Sequence, residues 1–244
     1  MSSLIIFIPA RSGSTRVKNK NLQKIGKLSL LEHKIKICKS LKIGKVVVST
    51  NSKKIAKLSI KNGAEIPFLR PKKYSTSKAS TVSAILHYLR FLKKKNMRIP
   101  TYLAILPLTN PFLEKKTIIS AYKKIVKNKK INSIIGFTEA DDHPFTFIKV
   151  KKKIYFNIFR HEGSIYSDHE RTQDWPKAYI GSASLKITKT SYFLKYLKEY
   201  SPLFGIKTFD LKKTMGIKIT KKESFDINNR RDLLYANQFL NKKN

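Results

Sequence analysis

The chain has 244 residues, 41% of them hydrophobic and 27% charged, with 52 Lys plus Arg against 15 Asp plus Glu for a formal net charge of +37. This composition excludes a disordered chain, which would be poorer in Ile, Leu, Phe and Tyr, and no apolar run reaches the roughly eighteen residues that cross a bilayer. The single cysteine, Cys38, excludes intrachain disulfides and cysteine-ligated zinc.

The length suits one domain with an appended lobe. The N-terminus has no charged region followed by a long apolar stretch, so a cytoplasmic protein is expected. A basic excess of this size points to a polyanionic partner. The lysines are spread over nearly every segment and take most positions that a helix or strand would expose. A dispersed coat of this kind reads as compositional bias at least as much as a binding face, so specific nucleic-acid binding is not expected; a small polyanionic substrate fits the charge equally well, and without a long apolar run no membrane partner is expected.

In chain order, Leu4 to Ile8 reads as a strand running into a polar loop, Pro9 to Asn21. A helix over Leu30 to Leu41 is announced by a capping box, Ser29 with Glu32, and carries Cys38 on its apolar side as a small buried hydrophobe. Lys45 to Thr50 is a compact buried strand, followed by a helix over Ser52 to Lys61. Ile66 to Leu69 reads as a short strand. Val82, Ile85, Leu86, Leu89 and Leu92 fall on one helical face. Leu103 to Leu106 is the next strand, Lys115 to Lys127 the next helix, and Ile131 to Phe137 another strand. The alternation predicts an α/β, Rossmann-like, mostly parallel sheet covered by helices on both faces, with sites at the carboxyl ends of its strands. The rhythm breaks at Pro144 to Phe159, where period-two character around Lys151 to Lys153 predicts a β-hairpin in an inserted lobe. Ser191 to Tyr200 reads as helix, Gly216 to Thr220 as strand and Asn228 to Leu240 as a closing helix.

The segment Ile8-Pro-Ala-Arg-Ser-Gly-Ser-Thr-Arg-Val-Lys-Asn-Lys-Asn-Leu22 combines a strand end, a turn at Gly13, hydroxyls, and the cations Arg11, Arg16, Lys18 and Lys20. Backbone amides of such a loop can surround phosphate oxygens, and the cations can neutralise a leaving pyrophosphate. It is neither a Walker loop nor a GxGxxG turn. An ordinary basic surface loop is the other reading of the same residues.

This segment resembles the signature loop of the acylneuraminate cytidylyltransferase family, the CMP-sialic acid synthetases and their relatives for KDO, pseudaminic and legionaminic acids. The family pattern is approximately ARxGSKxxxxKN; Ala10-Arg11, Gly13-Ser14 and Lys20-Asn21 match in register, and Thr15 stands where a lysine is usual. Val47-Val-Ser-Thr50 resembles the second strand, with Asn51 in place of the usual aspartate. Leu69-Arg-Pro71 and Ala79-Ser-Thr81 resemble the element that closes around cytosine and ribose. Leu108-Thr-Asn-Pro-Phe112 resembles the PTSPL turn, with Pro107 and Leu113 at positions where glutamine and arginine are common. Ser224-Phe-Asp-Ile-Asn228 resembles the SIDID segment. These matches are ordered and spread over residues 4 to 235.

The resemblance implies transfer of CMP from CTP to the anomeric hydroxyl of an acidic nine-carbon sugar, with release of pyrophosphate. It implies a homodimer in which an inserted, β-rich lobe at about 140–182 covers the partner's sugar site. By position, Arg11, Ser12, Gly13, Ser14, Lys20 and Asn21 would hold the triphosphate, with Arg16 standing in for the lysine missing at Thr15. Arg70, Ala79, Thr81 and Thr109 would contact the nucleotide further on, and Arg11, Lys20 and Asp226 would carry the chemistry. A divalent cation, Mg2+ first, would sit at Asp226 and Asn228, the second without the negative charge that family members commonly have there. The sugar segment NGAIY is replaced by Ser182-Ala-Ser-Leu-Lys186, which argues against plain N-acetylneuraminate. Ser182 and Arg171 are the sugar candidates, Arg171 because a guanidinium fork suits a carboxylate. His143 before Pro144 reads as turn chemistry, His161 and His169 as substrate contacts or surface residues, and Trp175 as lobe core. The alternatives are a cytidylyltransferase for KDO or another small acid, and a non-catalytic, basic RNA-associated relative.

Overall fold

The protein's structure is a computed structural model that describes residues 3–13, 17–151, 154–157, 171–197 and 207–241. The strands are β1 (Leu4–Pro9), β2 (Lys24–Ile25), β3 (Leu28–Ser29), β4 (Lys45–Ser49), β5 (Tyr102–Ile105), β6 (Ser133–Glu139), β7 (Ile148–Lys151), β8 (Ile154–Asn157), β9 (Tyr179–Lys189) and β10 (Thr214–Lys218). The helices are α1 (Leu30–Ser40), α2 (Lys53–Lys61), α3 (Thr81–Lys94), α4 (Lys115–Lys127), α5 (Thr190–Leu194), α6 (Lys221–Ser224) and α7 (Arg230–Asn241). Six strands form one sheet in the order β10, β6, β9, β5, β1, β4.

Alternation along each strand divides the core in two. Leu4, Ile6 and Ile8 of β1 join Val46, Val48, Tyr102 and Ala104 under α1 and α4, whereas Ile5 and Phe7 join Val47, Leu103 and Ile105 under α3 and α5. Both faces of the sheet are therefore covered, as the uninterrupted apolar runs of β1, β4 and β5 require. Each fully buried Leu, Ile or Phe contributes about 1.5–3 kcal/mol.

Serines set the helix starts. The predicted capping box of α1 is present, with Glu32 N donating to Ser29 Oγ at 3.2 Å and Ser29 N to Glu32 Oε2 at 2.9 Å. Ser52 caps α2 and Ser80 caps α3 through Ile55 N and Ser83 N. Cys38 is buried and free, and burial pushes its thiol up to about 11.

The sequence reading missed β9. It runs antiparallel between β5 and β6 in the middle of an otherwise parallel sheet. Ser182, Ser184, Lys186 and Lys189 interrupt its apolar pattern, and its place between two partners supplies the backbone hydrogen bonds that its side chains do not advertise. Ile66 to Leu69 forms no strand: only Glu65 bridges Val47, because Pro67 lacks an amide to extend the ladder. The helix expected over Ser191 to Tyr200 is the short α5 followed by a turn, and residues 198–200 lie outside the described part. The predicted hairpin is β7 with β8, pairing Lys151 with Ile154 in a separate sheet. No helix among the described residues is long and apolar enough to cross a membrane.

Gly44, between α1 and β4, is required by close approach: a Cβ there would lie 2.3 Å from Leu4 O. Gly44→Ala is expected to destabilise the protein by about 2 kcal/mol, because the obstacle is backbone that cannot swing aside. A shift of the urea midpoint to lower concentration checks this, and an unchanged midpoint would show that the α1–β4 turn yields freely.

Candidate active site

Three segments meet at the carboxyl edge of the sheet: the loop after β1, the turn after β5, and the chain after α6. The first begins with Ala10 N donating to Ser49 O at 2.9 Å, and Gly13 follows in the left-handed region at φ 82. Asn51 fastens this loop twice, accepting from Ser12 N through Oδ1 and donating from Nδ2 to Ser12 Oγ, both at 2.8 Å. Asn21 Nδ2 donates to Arg11 O at 2.8 Å. The result is a pocket of about 100 Å³ lined by Arg11, Ser12, Gly13, Lys20, Asn21 and, from α2, Lys54. Ser14, Thr15 and Arg16 lie outside the described residues.

Arg70 is buried beside this pocket. Its Nε donates to Ser49 Oγ at 3.0 Å and its Nη2 to Ser49 O at 2.5 Å, with Nη1 at 3.5 Å from Tyr74 O. Burial first, and then the neighbouring Arg11 guanidinium, lowers Arg70 to about 10. Positive charge from both residues beside this pocket suits an anionic ligand. Arg70 thus pins the end of β4, and its three described donor contacts are all to protein. Ala79 and Thr81 flank the cap of α3, both half-buried, with Ala79 N bonded to Thr76 O. On the same helix, His87 packs against Phe68 and Tyr74, at ring separations of 4.4 and 4.8 Å, and its Nδ1 is buried without a hydrogen-bond partner. Burial, then Arg70, Lys73 and Arg90, holds this imidazole below its usual range.

The segment 225–228 is clamped onto the turn after β5. Ile227 N donates to Thr109 O at 2.8 Å, and Asn110 Nδ2 to Phe225 O at 2.9 Å. Lys20 closes the arrangement across 207 residues of sequence by donating from Nζ to Ile227 O at 2.7 Å. Below the turn, Lys34 of α1, which is 1% exposed, gives its Nζ to Asn110 O at 2.6 Å, and His33 Nε2 lies 3.0 Å from Pro111 O. The capping box of α6, Thr220 with the buried Glu223, holds the segment from the other end, and Glu223 Oε1 also accepts from Glu114 N at 3.3 Å. Loop, turn and segment are thereby one constellation.

Asp226 Oδ1 is buried with no hydrogen-bond partner, an arrangement that costs free energy unless something else engages the oxygen. Asn228 is exposed and its Nδ2 lies 3.3 Å from Asp226 O. Among the described residues no group of three or more His, Cys, Asp and Glu is gathered for a metal. One unpartnered carboxylate oxygen with a neutral amide nearby fits a hard divalent cation that takes most of its ligands from phosphate and water. Lys186 of β9 lies within electrostatic reach of Asp226; burial lowers its ammonium, and Asp226 acts in the opposite direction.

The sugar candidates stand apart. Ser182 is buried in β9, where its hydroxyl donates to Ser184 Oγ at 2.9 Å and accepts from Ser184 N at 3.1 Å. Arg171 is exposed, and its carbonyl accepts from Asp174 N. His143 Nε2 lies 2.8 Å from Pro176 O, and its ring meets Phe145 edge-on at 4.6 Å and Trp175 at a tilt at 5.0 Å, a structural role for all three. His161 and His169 lie outside the described residues.

The family model of Cytidylyltransferase matches residues 5–238. The chain belongs to the cytidylyltransferase family. It is 27% identical to the post-translational flagellin modification protein B of Campylobacter coli, covering 100% of this chain and 97% of that protein. It is 29% identical to the pseudaminic acid cytidylyltransferase of Campylobacter jejuni serotype O:23/36, over 72% of this chain and 73% of the relative. A solved CMP:2-keto-3-deoxy-manno-octonic acid synthetase complexed with CTP superposes on the whole of both chains with a TM-score of 0.70 at 12% identity, which shows the same fold. As a member of this family, the chain departs from the signature at Asn51, where its amide still fastens the loop.

Sequence reasoning passed over Lys34, Lys54, Asn110 and Lys186. A lysine in the middle of an apolar helical face is the only signal for Lys34; Lys186 stands at the end of the segment Ser182 to Lys186, but its own role is not legible there because β9 is not recognised. Asn51 was noted only as a departure. Asn51→Ala is expected to raise the KM for CTP roughly 10-fold by releasing two hydrogen bonds to Ser12. Asn51→Asp, which can accept from both Ser12 donors, should stay within about 2-fold of wild type. Equal KM values for all three would show that the loop is held by other contacts.

Proposed function

We propose that this cytidylyltransferase transfers CMP from CTP to the anomeric hydroxyl of an acidic nine-carbon sugar, releasing pyrophosphate. The observation that carries the reading is the Lys20 bridge to Ile227, which joins the loop expected to hold a triphosphate to the segment bearing Asp226. The pseudaminic acid cytidylyltransferase among its relatives supports the acceptor class.

In this reaction the acceptor oxygen forms a bond to the α-phosphorus while the bond from that phosphorus to the bridging oxygen of the β-phosphate breaks. Pyrophosphate leaves with the electron pair, and the hydroxyl proton passes to solvent. Such a transfer needs positioning and charge neutralisation more than a covalent intermediate. Arg11 and Lys20 neutralise the phosphates; Ser12, Gly13, Ser14 and Asn21 orient them, with Arg16 beside them. Thr81 and Ala79 face the nucleoside, and Thr109 holds Ile227 so that Asp226 stays fixed. Asp226 and the carbonyl oxygen of Asn228 would hold a divalent cation, which when bound supplies Lewis-acid stabilisation of the phosphate charge. Arg171 and Ser182 are the sugar-side residues of this proposal. The segment at about 140–182 acts as a lobe of a cytoplasmic homodimer, which would cover the exposed Tyr179 and Ile180.

The test is pyrophosphate release from CTP and Mg2+ against N-acetylneuraminate, legionaminate, pseudaminate and KDO. Turnover with pseudaminate or legionaminate and little with the others is expected. Turnover of KDO alone would move the acceptor class, and folded protein that binds no CTP would sink the reading.

A further inference from the structure

Lys186 occupies an unusual place. In β9 it sits between Ile135 of β6 and Ile105, the last residue of β5, and so beside the start of the active-site turn that follows β5. Its neighbours Leu185 and Ile187 are fully buried in the core under α1 and α4, so strand alternation turns Lys186 to the other face of the sheet. There it is half-buried, and its side chain takes no hydrogen bond or ion pair from any described residue. Desolvating an ammonium without a partner is costly, and proteins rarely keep such a group in place unless a ligand answers it.

The charges around it are unbalanced in a particular direction. Asp226 is the one carboxylate between Phe225 and Asn228, its Oδ1 is unpartnered, and the second position of the segment is a neutral amide. Lys20 already reaches this segment through Ile227 O. With Asp232 turned to the amides of Asn228 and Asn229, and Lys207 also within electrostatic reach of Lys186, Asp226 is the segment's one unengaged carboxylate among several ammonium groups; such a corner recruits a divalent cation less strongly than a pair of free carboxylates does, yet presents positive charge to a phosphate without recruiting anything.

We infer that Lys186 is a resident cation for the reacting phosphates of CTP, so that nucleotide binds this chain without a divalent metal and the metal serves turnover alone. The inference rests on the proposed use of CTP. It gives a half-buried lysine without a hydrogen-bond partner a ligand and makes the neutral Asn228 compatible with an active enzyme.

The experiment is calorimetric titration of the full chain with CTP, once in EDTA and once in Mg2+, for wild type, Lys186→Met and Lys186→Arg. Wild type is expected to bind in EDTA within about 5-fold of its affinity in Mg2+. Lys186→Met should lose about 10-fold or more in EDTA, the worth of one charge-assisted contact, and recover most of that loss in Mg2+. Lys186→Arg keeps the charge and should follow wild type in both. Circular dichroism checks folding, and Lys186→Gln serves as the neutral variant if Lys186→Met does not fold. Wild type that binds CTP only with Mg2+ overturns the inference. So does a neutral variant that is unaffected in EDTA or is weakened equally in both buffers, the mark of a structural role. No CTP binding by wild type in either buffer would instead strike the cytidylyltransferase proposal on which the inference stands.

Discussion

Asp226→Asn should lower pyrophosphate release from CTP and its acceptor by about 10^3-fold, in line with the loss of a preorganised charge at a phosphoryl centre. The same substitution should leave the thermal midpoint within about 3 °C of wild type, since about 1 kcal/mol corresponds to 2–4 °C in a domain of this size. The two expectations follow from one observation: Oδ1 is buried and engages no protein donor. An amide of the same shape removes the charge that a cation needs, but breaks no hydrogen bond of that oxygen. A stability curve alongside the rate separates the outcomes. A rate loss below 10-fold would remove Asp226 from the chemistry, and a fall in midpoint matching the loss of rate would make it a folding residue.

The second large effect concerns Lys34, the one lysine in the fully buried set of described residues. Burial lowers its ammonium from 10.5 to about 8. Because the folded value lies below the unfolded one, the unfolded chain binds more protons between about pH 8 and 10.5. Stability attributable to Lys34 therefore rises with pH through that window, and its full cost is present below pH 8. The difference corresponds to about 3 kcal/mol. Against it stands the bond from Nζ to Asn110 O at 2.6 Å, worth about 1.5–3 kcal/mol for a charged donor. Urea unfolding of wild type and Lys34→Met at pH 7 and pH 10 should show wild type gaining about 2–3 kcal/mol on the variant. Tyr88 and Tyr192, pushed up to about 12 by burial, titrate above that window and cancel in the comparison. A difference that is flat with pH would show that the Lys34 ammonium is solvated in the folded state. Lys34→Met should also weaken catalysis, because Asn110 positions Phe225 and hence Asp226.

Both predictions concern residues whose importance differs in how it can be read. Asp226 was visible in the sequence through its surroundings, Ser224 to Asn228, and the loop Ile8 to Leu22 was visible through its cations and Gly13. Lys34 was not, because a lysine in an amphipathic helix is ordinarily solvated, and nothing local says that the turn after β5 will close over it.

Local chemistry alone determined a good part of this protein. The apolar runs of β1, β4 and β5 specify buried parallel strands, since only a sheet covered on both faces hides side chains of both parities. Ser29 with Glu32 specifies the start of α1 because the two satisfy each other's unpaired groups within one turn. Tertiary structure decided what depends on residues far apart. β9, with its serines and lysines, is a strand only because β5 and β6 offer it two hydrogen-bonding edges. Pro67 ends any extension of the Glu65 bridge. Lys20 meets Ile227, Asn51 meets Ser12, and Lys186 comes within reach of Asp226 only after the chain has closed on itself, because periodicity reports the face a residue takes and only packing selects its partner.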